Sequence, residues 1–165
     1  MLLSGQKLAD KLIVPGEHRV GFYIEGDERI DSTGGWEVGN SSGTGAQSKN
    51  SDHLYLQCYE ESATALRTYV TNIPISLTRY KKIKVLWSNS GHNHDSNCSV
   101  LAIGGTKTET TANAVKTKTF SNAVTELDVS TLTGDYYIKV VAQDGTSMGY
   151  AAVSELRVYK VWGEY

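Results

Sequence analysis

The sequence predicts an all-β fold, a two-sheet antiparallel β-sandwich of the jelly-roll kind. Ten tyrosines stand among many valines, isoleucines and threonines, glycine is abundant, and there are only two prolines. This composition favours pleated sheet over helix. Apolar and polar residues alternate with a period of two in short runs, and turn-rich segments separate the runs. Short strands at this spacing are typical of a sandwich or a barrel.

The alternation predicts eight or nine strands. The runs that carry it are residues 20–24, 34–38, 53–59, 65–71, 80–88, 98–104, 124–129, 135–143 and 152–162. The clearest inward-facing sets are Leu54, Leu56 and Cys58, then Ile83, Val85 and Trp87, and then Leu156, Val158 and Trp162, with Lys160 as an exception. Residues 106–120 are rich in threonine and lysine, which suits either an exposed loop or a guarded edge strand.

A length of 165 residues fits one domain with a core of its own. We expect the sandwich to span residues 18–165. Residues 1–17 place Leu8 and Leu12 one helical turn apart and end in the turn sequence PGE. We therefore expect a leader, or the end of a stalk, that packs against something outside this domain or is partly disordered.

A hairpin between the runs 53–59 and 65–71 would gather the most interesting polar surface. A loop EESAT between them sets Tyr55 opposite Tyr69 and Gln57 opposite Arg67. The candidate ligand-binding residues on that face are His53, Tyr55, Gln57, Tyr59, Arg67 and Tyr69. Aromatic rings interleaved with amide and guanidinium donors can stack on sugar rings and bind hydroxyls. Three interpretations stay open: a saccharide platform, a contact between subunits, and ordinary cross-strand packing.

The stretch SNSGHNHDSN, residues 88–97, contains the pattern His-x-His-Asp. His92 and His94 would point the same way in an extended segment, with Asp95 nearby, but a mononuclear metal site needs further ligands. A three-fold assembly could supply them by bringing three copies together. Because the stretch consists of turn residues between two strands, we interpret it as a solvated loop tip, with ligand contact through His92 and His94 as the second hypothesis. We predict neither a metal nor a cofactor.

Three weaker motifs have simpler explanations. The segment GNSSG, residues 39–43, matches a nucleophile elbow centred on Ser41, but no helix can be read after it, so a flexible loop is favoured. The acidic segment 25–31 could hold calcium through its carboxylates, yet it lacks the EF-hand pattern and suits a solvated turn. Cys58 and Cys98 make neither a disulfide framework nor a zinc set, and Cys58 is expected to be a buried thiol.

Charge and hydropathy exclude two classes of partner. The net charge is −2 and no basic run interleaves with aromatic residues, so nucleic-acid binding is not predicted. The apolar runs fall far short of the roughly 20 residues that span a bilayer, so no membrane insertion is expected. The first residues, MLLSGQKLADK, lack the pattern of a secretion signal.

The stretch YIEGDERIDSTGGWEVGNSSGTGAQSKNSDHLYLQC combines GDE, TGGW, a polar glycine-rich loop and D-x-L-Y-L, and ISLTRYKKIKVLW follows it. Over about residues 22–90 it resembles distal domains of minor structural and tail proteins of phages and prophages of Gram-positive bacteria. The resemblance implies a jelly-roll-like sandwich at the end of a tail or fibre, commonly trimeric and concerned with host-surface saccharides. It implies a place in the virion after assembly in the bacterial cytoplasm, and it carries no binding residue over.

These observations together predict a non-enzymatic structural and recognition module that contacts a cell-wall or capsular glycan. The expected partners are a host cell-surface polysaccharide and other copies of the same chain. Weak sugar binding at each copy would gain from such multivalency. Two alternatives remain: a carbohydrate-binding module of a secreted glycanase, and a cell-wall depolymerase or esterase that would depend on Ser41 or His92.

Overall fold

A computed structural model describes residues 17–25, 28–29, 35–50, 52–60, 64–91, 98–109, 113–117, 120–145 and 152–164. These ranges contain strands and no helix, and hence no helix that could cross a membrane. The strands are β1 (Glu17–Glu25), β2 (Glu28–Arg29), β3 (Trp36–Val38), β4 (Thr44–Lys49), β5 (Leu54–Glu60), β6 (Thr64–Thr71), β7 (Ile75–Ser76), β8 (Lys82–Asn89), β9 (Ser99–Gly104), β10 (Asn113–Thr117), β11 (Phe120–Asp128), β12 (Asp135–Gly145) and β13 (Ala152–Glu164).

The strands form two antiparallel sheets, as the alternation predicts. In sheet 1 the order is β11–β8–β13. Along its other edge, the first half of β13 pairs with β5 and the second half pairs with β1. β4 pairs with the far edge of β5, and β2 pairs with β1. In sheet 2 the order is β10–β9–β12–β6–β3, with β7 beside the start of β12. The eight central strands therefore split as β5–β13–β8–β11 and β6–β12–β9–β10. This interleaving of two Greek keys is the jelly-roll order, so the predicted fold is confirmed.

The core lies between the sheets and is built from every second residue of each strand. Its main members are Leu54, Leu56, Cys58, Ile83, Val85, Trp87, Leu156, Val158 and Val161 from sheet 1, and Tyr69, Leu101, Ile103, Ile138, Val140 and Ala142 from sheet 2. Each such aliphatic side chain stabilises the fold by about 1.5–3 kcal/mol relative to leaving it exposed. The predicted inward sets of β5 and β8 are confirmed, and Cys58 is a buried thiol whose Sγ donates to the Ala142 carbonyl at 3.1 Å.

The predicted hairpin between β5 and β6 is wrong. β5 pairs with β4 and β13, whereas β6 pairs with β3 and β12, so the connection between them crosses from one sheet to the other. The alternation is the same in both arrangements, because a strand that faces the core of a sandwich looks like one arm of a hairpin. Only long-range pairing distinguishes them.

A β-bulge in β13 explains why Lys160 breaks the predicted alternation. Val158 is level with Trp87, and Lys160 is level with Leu86, so Tyr159 is an extra residue in the ladder. Beyond the bulge, Val161 is level with Val85 and Trp162 with Lys84. The pattern along the strand therefore shifts by one position, which a strict period of two cannot anticipate.

β4 follows the glycine-serine segment and is a strand that the sequence did not predict. Its inward side chains reach across to sheet 2: Gln47 Nε2 donates to the Thr68 carbonyl at 3.3 Å, and Lys49 Nζ donates to the Trp36 carbonyl. A side chain at Gly45 would place its Cβ 2.0 Å from the Gln57 carbonyl oxygen, so glycine is what lets β4 lie against β5. Polar contacts, rather than apolar burial, hold this edge.

Residues 105–109, called the strap below, lie over the outer face of sheet 2, the face turned away from sheet 1. Lys107 forms an ion pair of 2.7 Å with Glu37, and Asn40 Nδ2 donates to the Thr108 carbonyl at 3.2 Å. Beyond the strap, β10 is an edge strand of sheet 2, so residues 106–120 contain both of the predicted alternatives. All six residues of β9 are buried, since both faces of that strand are covered.

Several predictions lie outside the described residues. These are the leader apart from Glu17, with which β1 begins, the loop tip with His92 and His94, and most of the acidic segment, of which Glu25, Glu28 and Arg29 belong to β1 and β2.

Candidate functional site

The outer face of sheet 1 carries a cluster of aromatic and polar side chains on β5 and β13. We call it the β5–β13 patch; its members are His53, Tyr55, Gln57, Glu155, Arg157 and Tyr159. All six are partly exposed. The patch lies on the side of the sandwich opposite the strap.

Strand alternation and register together place these residues side by side. Leu54 and Leu56 point into the core, so Tyr55 and Gln57 between them point outward. The antiparallel ladder sets Arg157 level with Tyr55 and Glu155 level with Gln57. Directly opposed side chains in such a ladder are close enough to interact, and here they form contacts in both rows.

Three aromatic rings meet at one end of the patch. The ring of His53 is 6.4 Å from that of Tyr55 in an edge-on arrangement and 5.9 Å from that of Tyr159 in a tilted one. Tyr159 is the bulged residue, and its hydroxyl is 3.1 Å from Ser88 Oγ. Alternation after the inward Val158 places Tyr159 on the outer face, and the bulge leaves it without a paired residue on β8.

A polar network occupies the other end. Gln57 Nε2 donates to Glu155 Oε1 at 3.1 Å, and Ser90 Oγ donates to Glu155 Oε2 at 3.3 Å. The guanidinium of Arg157 lies 5.5 Å from the centre of the Tyr55 ring, within cation–π range. Burial first and the Glu155 carboxylate second raise the pKa of Tyr55, while Arg157 opposes them. The phenol is therefore neutral, and able to donate a hydrogen bond, through the physiological range.

His53 is held in one tautomer. The amide nitrogen Nδ2 of Asn50 lies 2.9 Å from His53 Nε2, and an amide nitrogen can only donate, so Nε2 accepts. The ring proton is then on Nδ1, which donates to Asp52 Oδ1 at 2.7 Å. A histidine held by a carboxylate is the usual form of a general base, but here Asn50 occupies the nitrogen that would accept the proton.

The structure brings together three of the eight predicted ligand-binding residues and places a fourth on the same face. His53, Tyr55 and Gln57 belong to the patch, and Tyr59 is exposed on the same side of β5. Tyr69 is corrected: it is 2% exposed and lies in the core, because β6 turns the face that carries Ala65 and Tyr69 toward sheet 1. Arg67 is also corrected, because its guanidinium donates to the carbonyls of Ser42, Gly43 and Leu66 at 2.7–2.9 Å, away from the patch.

Sequence reasoning missed the half of the patch on β13. The alternation in AVSELRVYKVW does mark Glu155, Arg157 and Tyr159 as outward, since Leu156 and Val158 are inward. Nothing in the sequence shows that β13 pairs with β5 about a hundred residues earlier, so the two outward sets could not be joined.

The described residues do not form the nucleophile elbow or a metal site, the two other kinds of site considered from the sequence. Ser41 Oγ bonds to the Gly39 carbonyl and to Gln47 Oε1, and a strand rather than a helix follows it, unlike a nucleophile elbow. In the same residues no group of three or more histidine, cysteine or acidic side chains is placed to hold a metal ion. The β5–β13 patch thus remains the candidate site, and what it offers is rings, donors and acceptors. No protein-family model, curated protein or solved structure matches this chain.

Proposed function

We propose that this chain is a non-enzymatic recognition module that binds a cell-surface saccharide on the β5–β13 patch. The observation that carries the proposal is the outer face of sheet 1, where three partly exposed aromatic rings adjoin an amide, a carboxylate and a guanidinium within two neighbouring strands. Sugars present apolar ring faces and a rim of hydroxyls, and this mixture of side chains complements both.

The opposite outer face does not compete for this role. The strap covers part of sheet 2, and the side chains of Val70 and Ala102 there are 1% exposed. A flat ligand that approaches the sandwich broadside can therefore contact sheet 1 but not these residues of sheet 2. This asymmetry supports assigning recognition to sheet 1.

The resemblance of residues 22–90 to distal phage tail domains supports a setting for this binding. In that setting the module sits at the tip of a tail or fibre of a virion, with several copies of the chain held together. A shallow patch of this kind binds weakly on its own, and linked copies gain affinity without any new contact. Host-surface polysaccharide, repetitive by nature, suits such a display.

The test is binding of the purified chain to bacterial cell walls and to a panel of soluble polysaccharides, with Tyr159→Ala as the variant. Loss of an aromatic contact should weaken binding about tenfold, the effect of a well-placed ring. Tyr137→Ala is the matched control, because Tyr137 is also half-buried but lies beside Lys107 of the strap, on sheet 2. Equal binding by wild type and Tyr159→Ala, or no binding to any polymer, would refute the proposal.

A further inference from the structure

We infer that the saccharide bound by the β5–β13 patch carries an anionic group, a carboxylate or a phosphate, and that the guanidinium of Arg157 receives it. This inference rests on the proposed function and names the ligand class of the same site. It begins from the way in which Arg157 is held.

Arg157 is fixed in place before any ligand arrives. Its side chain stacks on Tyr55, its Nη1 donates to Ser90 Oγ at 3.3 Å, and its Nη2 is 3.6 Å from Glu155 Oε2. The contact with Tyr55 and the bond to Ser90 restrict the rotamers of a long side chain, so less entropy is lost when a ligand binds. Such preorganisation is what a recognition residue requires.

Most of the donors of Arg157 are nevertheless unused. A guanidinium has five N–H groups, and within the described residues only the bond to Ser90 meets hydrogen-bond distance. The 3.6 Å separation from Glu155 is too long for a hydrogen bond, and both side chains are about a third exposed, so this ion pair is weak. Among the described residues the other N–H groups meet no acceptor, so they are available to an external one.

Glu155 does not need Arg157 as its partner. Its two carboxylate oxygens accept from Gln57 and Ser90, one each. If Arg157 served only to neutralise Glu155, we would expect a direct, bidentate contact between them, the geometry that arginine and carboxylate favour. The structure instead directs the carboxylate to neutral donors and leaves the Arg157 side chain about a third exposed without a bidentate partner among the described residues.

A planar fork of N–H donors matches a carboxylate or phosphate better than it matches a single hydroxyl. Among the described residues on this part of sheet 1, Asp52 and Glu155 balance Arg157 and Lys160, so these side chains create no broad positive field around the patch. Anion recognition is then local, through one guanidinium. Its dependence on salt should be correspondingly shallow, with the slope of one ion pair rather than of several.

The experiment compares polymers that differ only in charge, namely dextran, carboxymethyl dextran and dextran phosphate of matched length, by calorimetry or biolayer interferometry on the intact chain. At least one charged polymer should bind about tenfold more tightly than dextran, the scale of a charge-assisted bidentate contact. Arg157→Gln should abolish the preference and Arg157→Lys should restore only part of it. Arg79→Gln, at an exposed arginine in the turn after β7, is the charge-matched control and should leave the preference intact.

The outcomes separate the two proposals. Equal affinity for neutral and charged polymers, with binding still lost in Tyr159→Ala, would overturn the anionic ligand and leave saccharide recognition standing. A preference that survives Arg157→Gln would overturn the role of Arg157. Binding to none of the polymers would overturn both. Circular dichroism of each variant establishes that a loss of binding is not a loss of fold.

Discussion

Lys139 is a charged residue in an apolar place on the outer face of sheet 2. It is 3% exposed, and the residues level with it in the neighbouring strands are Val70 and Ala102. Its Nζ lies close above Gly104, where an added Cβ would be 3.2 Å away. Burial lowers the pKa of Lys139, and the carboxylate of Glu109 in the strap opposes that shift only in part.

We therefore predict that Lys139→Met stabilises the protein near pH 7. The folded chain holds a buried ammonium there at a cost, and replacing such a group by an apolar one commonly gains about 1 kcal/mol or more. At pH values between the lowered pKa of folded Lys139 and the pKa of 10.5 in the unfolded chain, the unfolded chain binds more protons than the folded one. The stability of the wild type therefore rises with pH in this range. The advantage of Lys139→Met should thus shrink as the pH rises through that window.

Urea unfolding of both proteins at pH 7 and at intervals up to pH 10.5 measures this difference. The exposed Lys81 supplies the control, since Lys81→Met should change the free energy of unfolding by less than about 0.5 kcal/mol. A variant that is less stable than wild type at pH 7, with a pH-independent difference, would contradict the prediction.

At the scale of single residues, sequence reasoning succeeded where local pattern decides the outcome. Leu54, Leu56 and Trp87 are buried as the alternation predicts, because in a sandwich one face of each strand must meet the core. It failed for Tyr69 because both faces of β6 are covered: Tyr69 is 2% exposed in the core and Val70 is 1% exposed on the outer face. The pattern of such a strand does not show which of its faces meets the core.

Among the elements, the passage from β3 in sheet 2 to β4 in sheet 1 depends on Arg67. Its guanidinium donates to three carbonyls, of Ser42 at 2.7 Å, Leu66 at 2.8 Å and Gly43 at 2.9 Å. A backbone bridge between Ser42 and Leu66 adds two further hydrogen bonds. Arg67 therefore supports the crossing and is not free to contact a ligand.

We predict that Arg67→Met destabilises the protein by about 2 kcal/mol. A hydrogen bond from a charged donor is worth about 1.5–3 kcal/mol in a favourable setting, but the Arg67 side chain is partly exposed and solvent screening reduces the total for its three bonds. Arg67→Lys should recover only part of the loss, because an ammonium cannot present the planar fork to three carbonyls. Thermal unfolding gives the stabilities, and the polysaccharide screen gives the affinities. Weakened sugar binding in a fully stable Arg67→Lys variant would show that Arg67 is a contact residue after all.

Elements without an apolar pattern escaped the sequence analysis. β4, with the sequence TGAQSK, has no alternation of apolar residues, and it is held by Gln47 and Lys49 reaching to carbonyls of sheet 2. The bulge at Tyr159 escaped for a related reason, because it is a property of the ladder between β13 and β8. A period of two in apolar residues indicates which side chains are buried. A strand held by polar contacts and a bulged residue leave no such regular pattern, so the sequence did not reveal them.

At the scale of the whole molecule, the sequence predicts the class of fold but not which strands pair with each other. Two antiparallel sheets follow from alternating runs of this number and length, and the jelly-roll order is confirmed by the pairing. The candidate site could not be predicted from the fold class alone, because it joins β5 to β13, which lies about a hundred residues further along the chain. Its β5 half could be nominated from residues 53–59, and its β13 half became visible only with the register.

The strand topology also determines how fast the chain should fold. β13 lies between β8 and β5, and β12 lies between β9 and β6, so the central ladders of both sheets join strands far apart in sequence. Loop closure must precede any gain from such pairs, and sandwiches dominated by non-local pairing fold in roughly milliseconds to seconds. We predict refolding on that scale, without a dominant microsecond phase.

Tryptophan fluorescence after stopped-flow dilution from urea measures this rate. Trp36, Trp87 and Trp162 are all at most 6% exposed, so their emission should shift to the blue as the sheets close. Val158→Ala, in the core of β13, should lower stability markedly, whereas Val124→Ala, which is 52% exposed on the edge strand β11, should not. A native-like emission shift completed within the dead time would mean that the core forms before β13 and β12 find their distant partners, contrary to what this topology requires.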